Sequence, residues 1–184
     1  MKKILLIIAL TIPALYLTYE IVFIQNVNDP IKHIYTFTGV STIVLILSSI
    51  LISPLKKFIN FMKYRKIIGL FGFFYAFLHF LNFIVLDAEL SLAFIISETI
   101  KKPFIYLGFF SFLILLYMAV TSTKKLYKEY MKFHKLVYVS VIAFFIHTIM
   151  AQKSIVLIDA IFIIIIVIVG IIKLFQYKNI FIKN

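Results

Sequence analysis

The sequence contains no cysteine and no tryptophan, and only 14% of its 184 residues are charged. The absence of cysteine excludes disulfide bonds, thiolate metal ligands and a cysteine nucleophile. A metal or cofactor would therefore have to be held by histidine, carboxylate or backbone groups. The sequence also lacks a P-loop, a G-x-G-x-x-G fingerprint and a Ser/His/Asp set, so it offers no nucleotide site or nucleophile of its own.

What the sequence has in abundance is apolar surface. Hydrophobic residues make up 64% of the chain and the mean hydropathy is +1.11, whereas a soluble domain is about half apolar and about a quarter charged. The net charge of +12 could indicate nucleic acid, but the lysines fall in short clusters between apolar runs. Such clusters are typical of loops beside anionic lipid. We therefore expect the lipid bilayer, and no nucleic acid, as a partner.

Apolar segments of membrane-spanning length alternate with basic or polar breaks along the whole chain. The six segments are Ile4–Ile24, Phe37–Ile52, Ile67–Leu86, Phe104–Val120, Leu136–Ala151 and Ile155–Phe175. The second and fifth are short for a span of about 20 residues. Pro13 predicts a kink in the first helix and Pro54 a stop after the second. The sequence thus predicts an all-α integral membrane protein, a single domain over 1–184 that forms a bundle of six transmembrane helices.

The distribution of basic residues predicts the orientation of this bundle. Of the 19 lysines and arginines, only Lys32, Lys101, Lys102 and Lys153 fall on one side, which leaves 15 on the other. Because cytoplasmic loops carry the excess of positive charge, both termini are predicted to lie in the cytoplasm.

Two histidines lie within predicted spans, where an ionisable side chain is costly to bury and is by default a functional candidate. At a rise of 1.5 Å per residue, His79 lies ~18 Å along the third helix and His147 ~20 Å beyond His134 along the fifth. Both helices run outward, so His79 and His147 should share a depth in the membrane. Two imidazoles at one depth on different helices are the arrangement needed to ligate a haem iron from both faces. Neighbouring phenylalanines could line the porphyrin or simply pack helices: Phe73, Phe74, Phe77, Phe80, Phe144 and Phe145.

The other two histidines lie nearer the membrane surfaces. His134 precedes His147 by 13 residues, which places the two ~140° apart on an ideal helix, so they would serve different sites. The matching depth on the third helix holds Arg65 and Lys66, which could pair with haem propionates or with lipid phosphate. His33 is expected to be solvated in the first outer loop. Gly39, Gly69 and Gly72 indicate close helix approach, room for a flat ring or ordinary packing.

On these residues alone, two other functions stay open. A small transporter or channel could use His79, His147 and Glu20 as a proton or metal path. A structural membrane subunit would need none of them. The first would be colourless when purified and would show transport activity, and the second would tolerate loss of its histidines.

The order and spacing of several short motifs resemble the ferric-reductase-like transmembrane family, and within it the haem-binding subunits of methionine sulfoxide reductase systems. The motifs are Asp29-Pro30-Ile31-Lys32, Phe37-Thr38-Gly39, Arg65-Lys66-Ile67-Ile68-Gly69-Leu70, Leu78-His79, Lys102-Pro103-Phe104, Thr121-Ser122-Thr123, Phe133-His134-Lys135-Leu136-Val137-Tyr138 and Ile146-His147. Where the family often has His and Arg around Phe-Thr-Gly, this chain has Thr36 and Val40, and Tyr130 replaces a family Trp.

The resemblance implies an electron carrier of the bacterial inner membrane. It implies haem b as cofactor, in one or two copies, and leaves a bound FMN open. His79, His134 and His147 match the family's haem-ligand histidines, and Arg65 would lie at the inner site. The implied partners are the quinol pool or a cytosolic flavin reductase as electron donor, and a periplasmic molybdopterin reductase of the MsrP type as acceptor. The chain would then be an electron-transfer subunit of an oxidoreductase system rather than its catalytic subunit.

Overall fold

A computed structural model describes residues 2–25, 27–56, 60–152 and 157–181 of the chain, and in the last helix it describes the side chains of residues 160–172. All regular secondary structure in these ranges is helical, which confirms the predicted all-α class. The α-helices are α1 (Lys2–Tyr19), α2 (Pro30–Leu55), α3 (Arg65–Leu81), α4 (Leu92–Lys101), α5 (Pro103–Val120), α6 (Lys124–Tyr130), α7 (Val137–Ala151) and α8 (Leu157–Phe181).

Short helical turns of other types lengthen three of these helices. A π-helical turn extends α1 over Glu20–Ile24, and another extends α3 over Asn82–Asp87. A 3₁₀ turn at Met62–Tyr64 leads into α3, and a second at Met131–Leu136 joins α6 to α7. With these turns, the continuous helical segments are longer than their α-helical parts alone.

Five continuous helical segments are long and apolar enough to cross a membrane. They are Lys2–Ile24, Pro30–Leu55, Met62–Asp87, Pro103–Val120 and Lys124–Ala151. The sixth predicted span overlaps α8, in which Ala160–Ile172 is an apolar stretch of shorter length; its predicted first residue, Ile155, lies outside the described residues, as do Lys57 and Lys153. The six-helix count and the cytoplasmic termini stay predictions.

The second helix is longer than predicted, because it begins at Pro30 instead of Phe37. Pro30 occupies the first turn, where a missing N–H costs nothing, and the Asp29 carboxylate caps the helix by accepting from the Lys32 N–H at 3.0 Å. Threonine hydroxyls in this turn donate to carbonyls four residues earlier, Thr36 to Lys32 at 3.0 Å and Thr38 to Ile34 at 2.5 Å. The hydroxyls of these two threonines, which interrupt the apolar pattern, are therefore satisfied within the helix.

The short helix α4 was not predicted. Ser91 caps its start, since its hydroxyl accepts from the Phe94 N–H at 3.4 Å, and Glu98 forms an ion pair with Lys102 near its end. Leu92, Ile96 and Ile100 follow one another at four-residue spacing, the period of one helix face. That spacing was the signal available in the sequence.

Two helix pairs form the body of the protein: α2 packs mainly against α3, and α5 mainly against α7. The buried core between them includes Ile46, Ile50, Leu115 and Val141, and Phe162 of α8 joins the same cluster. The first helix is attached to α3 by the Tyr75 hydroxyl, which donates to the Leu10 carbonyl at 2.8 Å. Each of the two pairs contributes one histidine to the site described next.

Candidate functional site

The structure brings His79 of α3 and His147 of α7 together between the two helix pairs. Their ring centroids lie 6.1 Å apart and the ring planes are nearly perpendicular, at 81°. The expectation that the two rings would meet at one level of the bundle is thus met by the geometry. What the rings bind remains a prediction.

The imidazole of His79 is held from α2. Its Nδ1 lies 3.2 Å from the Tyr35 carbonyl oxygen and 3.3 Å from the Thr38 hydroxyl oxygen. Because a carbonyl can only accept, the short contact requires a proton on Nδ1. Nε2 is then unprotonated and carries the lone pair that a metal would take.

The imidazole of His147 is held in the same way from α5. Its Nδ1 lies 2.6 Å from the Phe104 carbonyl oxygen, so this ring is also the Nδ1–H tautomer. Across the described part of the chain, the Nε2 atoms of His79 and His147 make no hydrogen bond. Both histidines therefore present a free lone pair, each oriented by a backbone carbonyl.

The phenylalanines predicted to surround a porphyrin divide into two groups. Phe144 lies near His147 with ring centroids 6.0 Å apart, and Phe80 stacks on Phe112 at 4.4 Å. Phe74 and Phe77 are 38% and 41% exposed and face outward from the bundle. Among the described ring contacts, Phe144 is the one predicted phenylalanine that borders either histidine, whereas Phe80 packs against α5.

A polar contact links the His79 region to the end of the bundle that carries Asp87. The Tyr35 hydroxyl donates to the Asp87 carboxylate at 3.1 Å, and the Tyr35 ring meets the His79 ring edge-on at 5.1 Å between centroids. Tyr35 thus contacts His79 through both its carbonyl and its ring while its hydroxyl reaches the end of α3. This double role could not be predicted from the sequence, because any residue type can supply a carbonyl acceptor.

His134 lies apart from the other two, in the 3₁₀ turn before α7. Its Nε2 is 3.1 Å from the Thr121 hydroxyl, and the Tyr127 ring meets its ring edge-on at 4.8 Å. Arg65, at the start of α3, interacts electrostatically with His134 and with Tyr138. The structure thus places the two predicted inner-site residues near one another, and the described contacts of His134 include no second histidine.

The prediction for His33 was wrong in its location. His33 belongs to the first turns of α2, and its Nε2 lies 3.2 Å from the Glu20 carboxylate. Glu20, which the transporter hypothesis placed on a path with His79 and His147, instead pairs with His33.

Within the described residues, no group of three or more His, Asp or Glu side chains is arranged to bind a metal ion.

Comparison with known proteins identifies the family. The model of the family described as ferric reductase like transmembrane component matches residues 34–146, a range that includes His79 and His134 and ends one residue before His147. The chain belongs to the ferric reductase like transmembrane family. With its apolar helices, this makes it a multi-pass membrane protein.

Named relatives in this ferric reductase like family are the protein-methionine-sulfoxide reductase heme-binding subunits MsrQ of Brucella ovis, Brucella canis and Brucella suis. Each is 30% identical to this chain over 149 residues, which are 78% of this chain and 68% of the relative. No solved structure matches the chain.

Proposed function

We propose that this protein is the haem b subunit of a membrane electron-transfer chain that serves methionine sulfoxide reduction. His79 and His147 would be the axial ligands of one haem. Electrons would enter from quinol or a cytosolic flavin reductase and leave to a periplasmic molybdenum-dependent methionine sulfoxide reductase. The observation that carries the proposal is the close approach of two carbonyl-oriented histidines, in a chain similar to subunits named for haem binding.

The residues present fit a bis-histidine haem. Two imidazoles that each place a nitrogen about 2 Å from one metal ion have ring centroids roughly 6 Å apart, and the observed distance is 6.1 Å. Metal-ligating histidines usually donate their other N–H to a carbonyl or carboxylate, which fixes the tautomer. Both rings meet this requirement at Nδ1.

Once bound, haem would supply reversible one-electron chemistry, and the protein would set its potential through ligand basicity, hydrogen bonds and burial. The carbonyls of Tyr35 and Phe104 would make the two imidazoles more basic. Phe104 and Phe144 would supply apolar surface beside the His147 ring. No acid, base or nucleophile is required of the chain, in agreement with a carrier rather than a catalytic subunit.

For His134 and Arg65 we propose a second, inner cofactor site, for another haem or for FMN. Arg65 would pair with propionate or phosphate oxygens, as guanidinium groups commonly do, and is already within electrostatic reach of His134. Ligation through Nε2 of His134 would require its contact with Thr121 to break. This site is thus built differently from the His79–His147 pair.

The test is a set of histidine variants of the purified protein. His79→Ala and His147→Ala should each abolish the low-spin Soret band of the haem between these rings, because a single imidazole leaves the iron five-coordinate and high-spin or leaves the haem unbound. His33→Ala, which changes a histidine paired with Glu20, is the matched control and should keep it. Full retention of the spectrum in both His79→Ala and His147→Ala would refute the assignment.

His134→Ala separates the two sites by stoichiometry. With two haems, the haem-to-protein ratio should fall by half while the remaining spectrum stays that of a bis-histidine haem. An unchanged ratio together with unchanged flavin content would remove His134 from the cofactor sites.

The electron path is tested by reducing the protein with quinol, or with a flavin reductase, and then adding the molybdenum reductase with methionine sulfoxide. Failure of that reductase to reoxidise the haem would exclude it as a partner.

A further inference from the structure

We propose that Gly108 is a positioning residue for His147, and that the α2–α3 and α5–α7 pairs are two similar histidine-holding units, the second of which is packed tightly enough to require its glycine. This inference rests on the proposed function and deepens it, because it names what fixes the ligands. In each unit a glycine on the first helix lies against the imidazole of the second helix. At Gly108 any larger residue would press on the imidazole, whereas at Gly39 an added methyl would fit at contact distance.

The contacts of the two glycines carry the proposal. A Cβ built on Gly39 would lie 3.4 Å from Cε1 and 3.5 Å from Nδ1 of His79. A Cβ built on Gly108 would lie 2.9 Å from Nδ1 and 3.0 Å from Cε1 of His147. The distances from Gly39 are those of ordinary van der Waals contact, whereas the 2.9 Å distance from Gly108 is shorter than Cβ atoms tolerate. Both glycines thus face the ring carbon and nitrogen on the carbonyl-bonded side.

The position of each glycine relative to the acceptor carbonyl is the same in the two units. Tyr35 precedes Gly39 by four residues, and Phe104 precedes Gly108 by four residues. In an α-helix, the carbonyl of residue i bonds the N–H of residue i+4, and the side chain of residue i+4 lies on the same helix face. A glycine at i+4 therefore uncovers the flank of that carbonyl, so that an imidazole from the next helix can reach its second lone pair.

The matching extends along both helix pairs. His79 follows Gly39 by 40 residues and His147 follows Gly108 by 39. Buried small polar residues stand three positions after each glycine, Thr42 in the first unit and Ser111 in the second. Two similar units that face each other would place their free Nε2 atoms on opposite sides of one plane, the requirement for axial ligation of a single macrocycle.

The two units differ in how tightly the glycine is packed, and this difference makes the inference testable. An added methyl at Gly108 must displace the His147 ring and lengthen its hydrogen bond to Phe104. A methyl at Gly39 fits at contact distance. Gly108→Ala should therefore lower the haem-to-protein ratio at least tenfold or convert the haem from low-spin to high-spin, whereas Gly39→Ala should keep the wild-type spectrum with a ratio within twofold.

Two other glycines of the chain supply matched controls. A Cβ at Gly72 would meet Ile46 Cδ1 at 2.6 Å, in the α2–α3 packing and away from both rings, and a Cβ at Gly170 would meet nothing within 4 Å. Gly72→Ala should lower the thermal unfolding temperature in detergent but leave the haem that binds low-spin. Gly170→Ala should change neither quantity. Loss of low-spin haem in Gly72→Ala equal to that in Gly108→Ala would overturn the inference, because packing alone would then explain both.

A measurement on the wild-type protein does not depend on a variant folding. In haem-free protein labelled with ¹⁵N-histidine, His79 and His147 should both appear as Nδ1–H tautomers, and either ring found as Nε2–H would overturn the carbonyl-holding unit. Wild-type haem binding with an unchanged spectrum in Gly108→Ala would overturn this inference alone. A wild-type protein that binds no haem would overturn the proposed function as well.

Discussion

At His79 two acceptors share one proton: the Tyr35 carbonyl lies 3.2 Å from Nδ1, and the hydroxyl oxygen of Thr38 lies 3.3 Å away. Thr38 is fully buried and donates its own proton to the Ile34 carbonyl. Its lone pairs are therefore directed toward the imidazole N–H. His147 has a carbonyl acceptor, and no hydroxyl is among its described hydrogen-bond partners.

We predict that Thr38→Val raises the reduction potential of the haem for which we propose His79 as a ligand. Removing one acceptor makes the imidazole less basic, and a less basic ligand stabilises the ferric form less. The expected shift is positive and no larger than about 59 mV, which is a tenfold change in the equilibrium constant of a one-electron couple. It is measured by a spectroscopic redox titration.

Thr42→Val is the control for this variant. Thr42 is also buried, one turn further along α2, and among the described residues its hydroxyl bonds to the Thr38 carbonyl alone. The haem reduction potential of Thr42→Val should stay at the wild-type value. An equal shift in both variants would attribute the effect to general changes in α2 rather than to the acceptor at His79.

The residue pair at the centre of the site could be predicted from the sequence, but its supports could not. Helical rise alone places His79 and His147 at one depth. The rotation of each helix about its axis decides which backbone carbonyl faces an imidazole, and rotation depends on packing between helices that are far apart in sequence. Gly108 and Thr38 acquire their roles only through that packing.

Among the helix pairs, α5 and α7 are joined by a buried serine pair. The hydroxyls of Ser111 and Ser140 lie 2.9 Å apart, and the Ser111 hydroxyl is also 3.0 Å from the Ser140 carbonyl. Both side chains are 1% exposed. In an apolar surrounding these contacts hold the second histidine-bearing helix against its partner.

We predict that Ser111→Ala and Ser140→Ala each destabilise the protein modestly and that their effects are not additive. Hydrogen bonds between membrane helices contribute about 0.6 kcal/mol on average and at most about 1.7 kcal/mol. A double-mutant cycle in detergent unfolding should give a coupling energy in that range. The hydroxyl of Ser122 lies in the turn after α5 and donates to the Met118 carbonyl, so Ser122→Ala should show no coupling to either serine. Zero coupling between Ser111 and Ser140 would contradict the contact.

The helix boundaries show where apolar pattern alone fails. Polar residues between Pro30 and Thr36 read as a loop, yet Asp29 caps a helix there and threonine hydroxyls bond back to its carbonyls. Local side-chain to backbone bonds of this kind satisfy polar groups without changing hydropathy. A polar start therefore does not mark the end of a membrane helix.

For the molecule as a whole, hydropathy was sufficient to predict the class and most of the helices. Five predicted spans correspond to continuous helical segments of membrane-spanning length. The connections between them were harder to predict, because the π-helical and 3₁₀ turns after α1, α3 and α6 have no strong residue signature. The direction in which the bundle crosses the bilayer depends on the distribution of lysine and arginine between its two sides.

We predict that the loop before α4 faces the periplasm and that α6 faces the cytoplasm. The chain has no cysteine, so single cysteines can be introduced without a cysteine-free background having to be engineered. Glu89 and Glu129 are both exposed glutamates, one before α4 and one in α6, and replacing either leaves the lysine and arginine count that sets orientation untouched. In intact spheroplasts, a membrane-impermeant maleimide should label Glu89→Cys and should label Glu129→Cys only after lysis.

The unsubstituted chain is the control and should remain unlabelled throughout. Labelling of Glu129→Cys in intact spheroplasts, with Glu89→Cys labelled only after lysis, would invert the bundle and place the Tyr35–Asp87 end toward the cytoplasm.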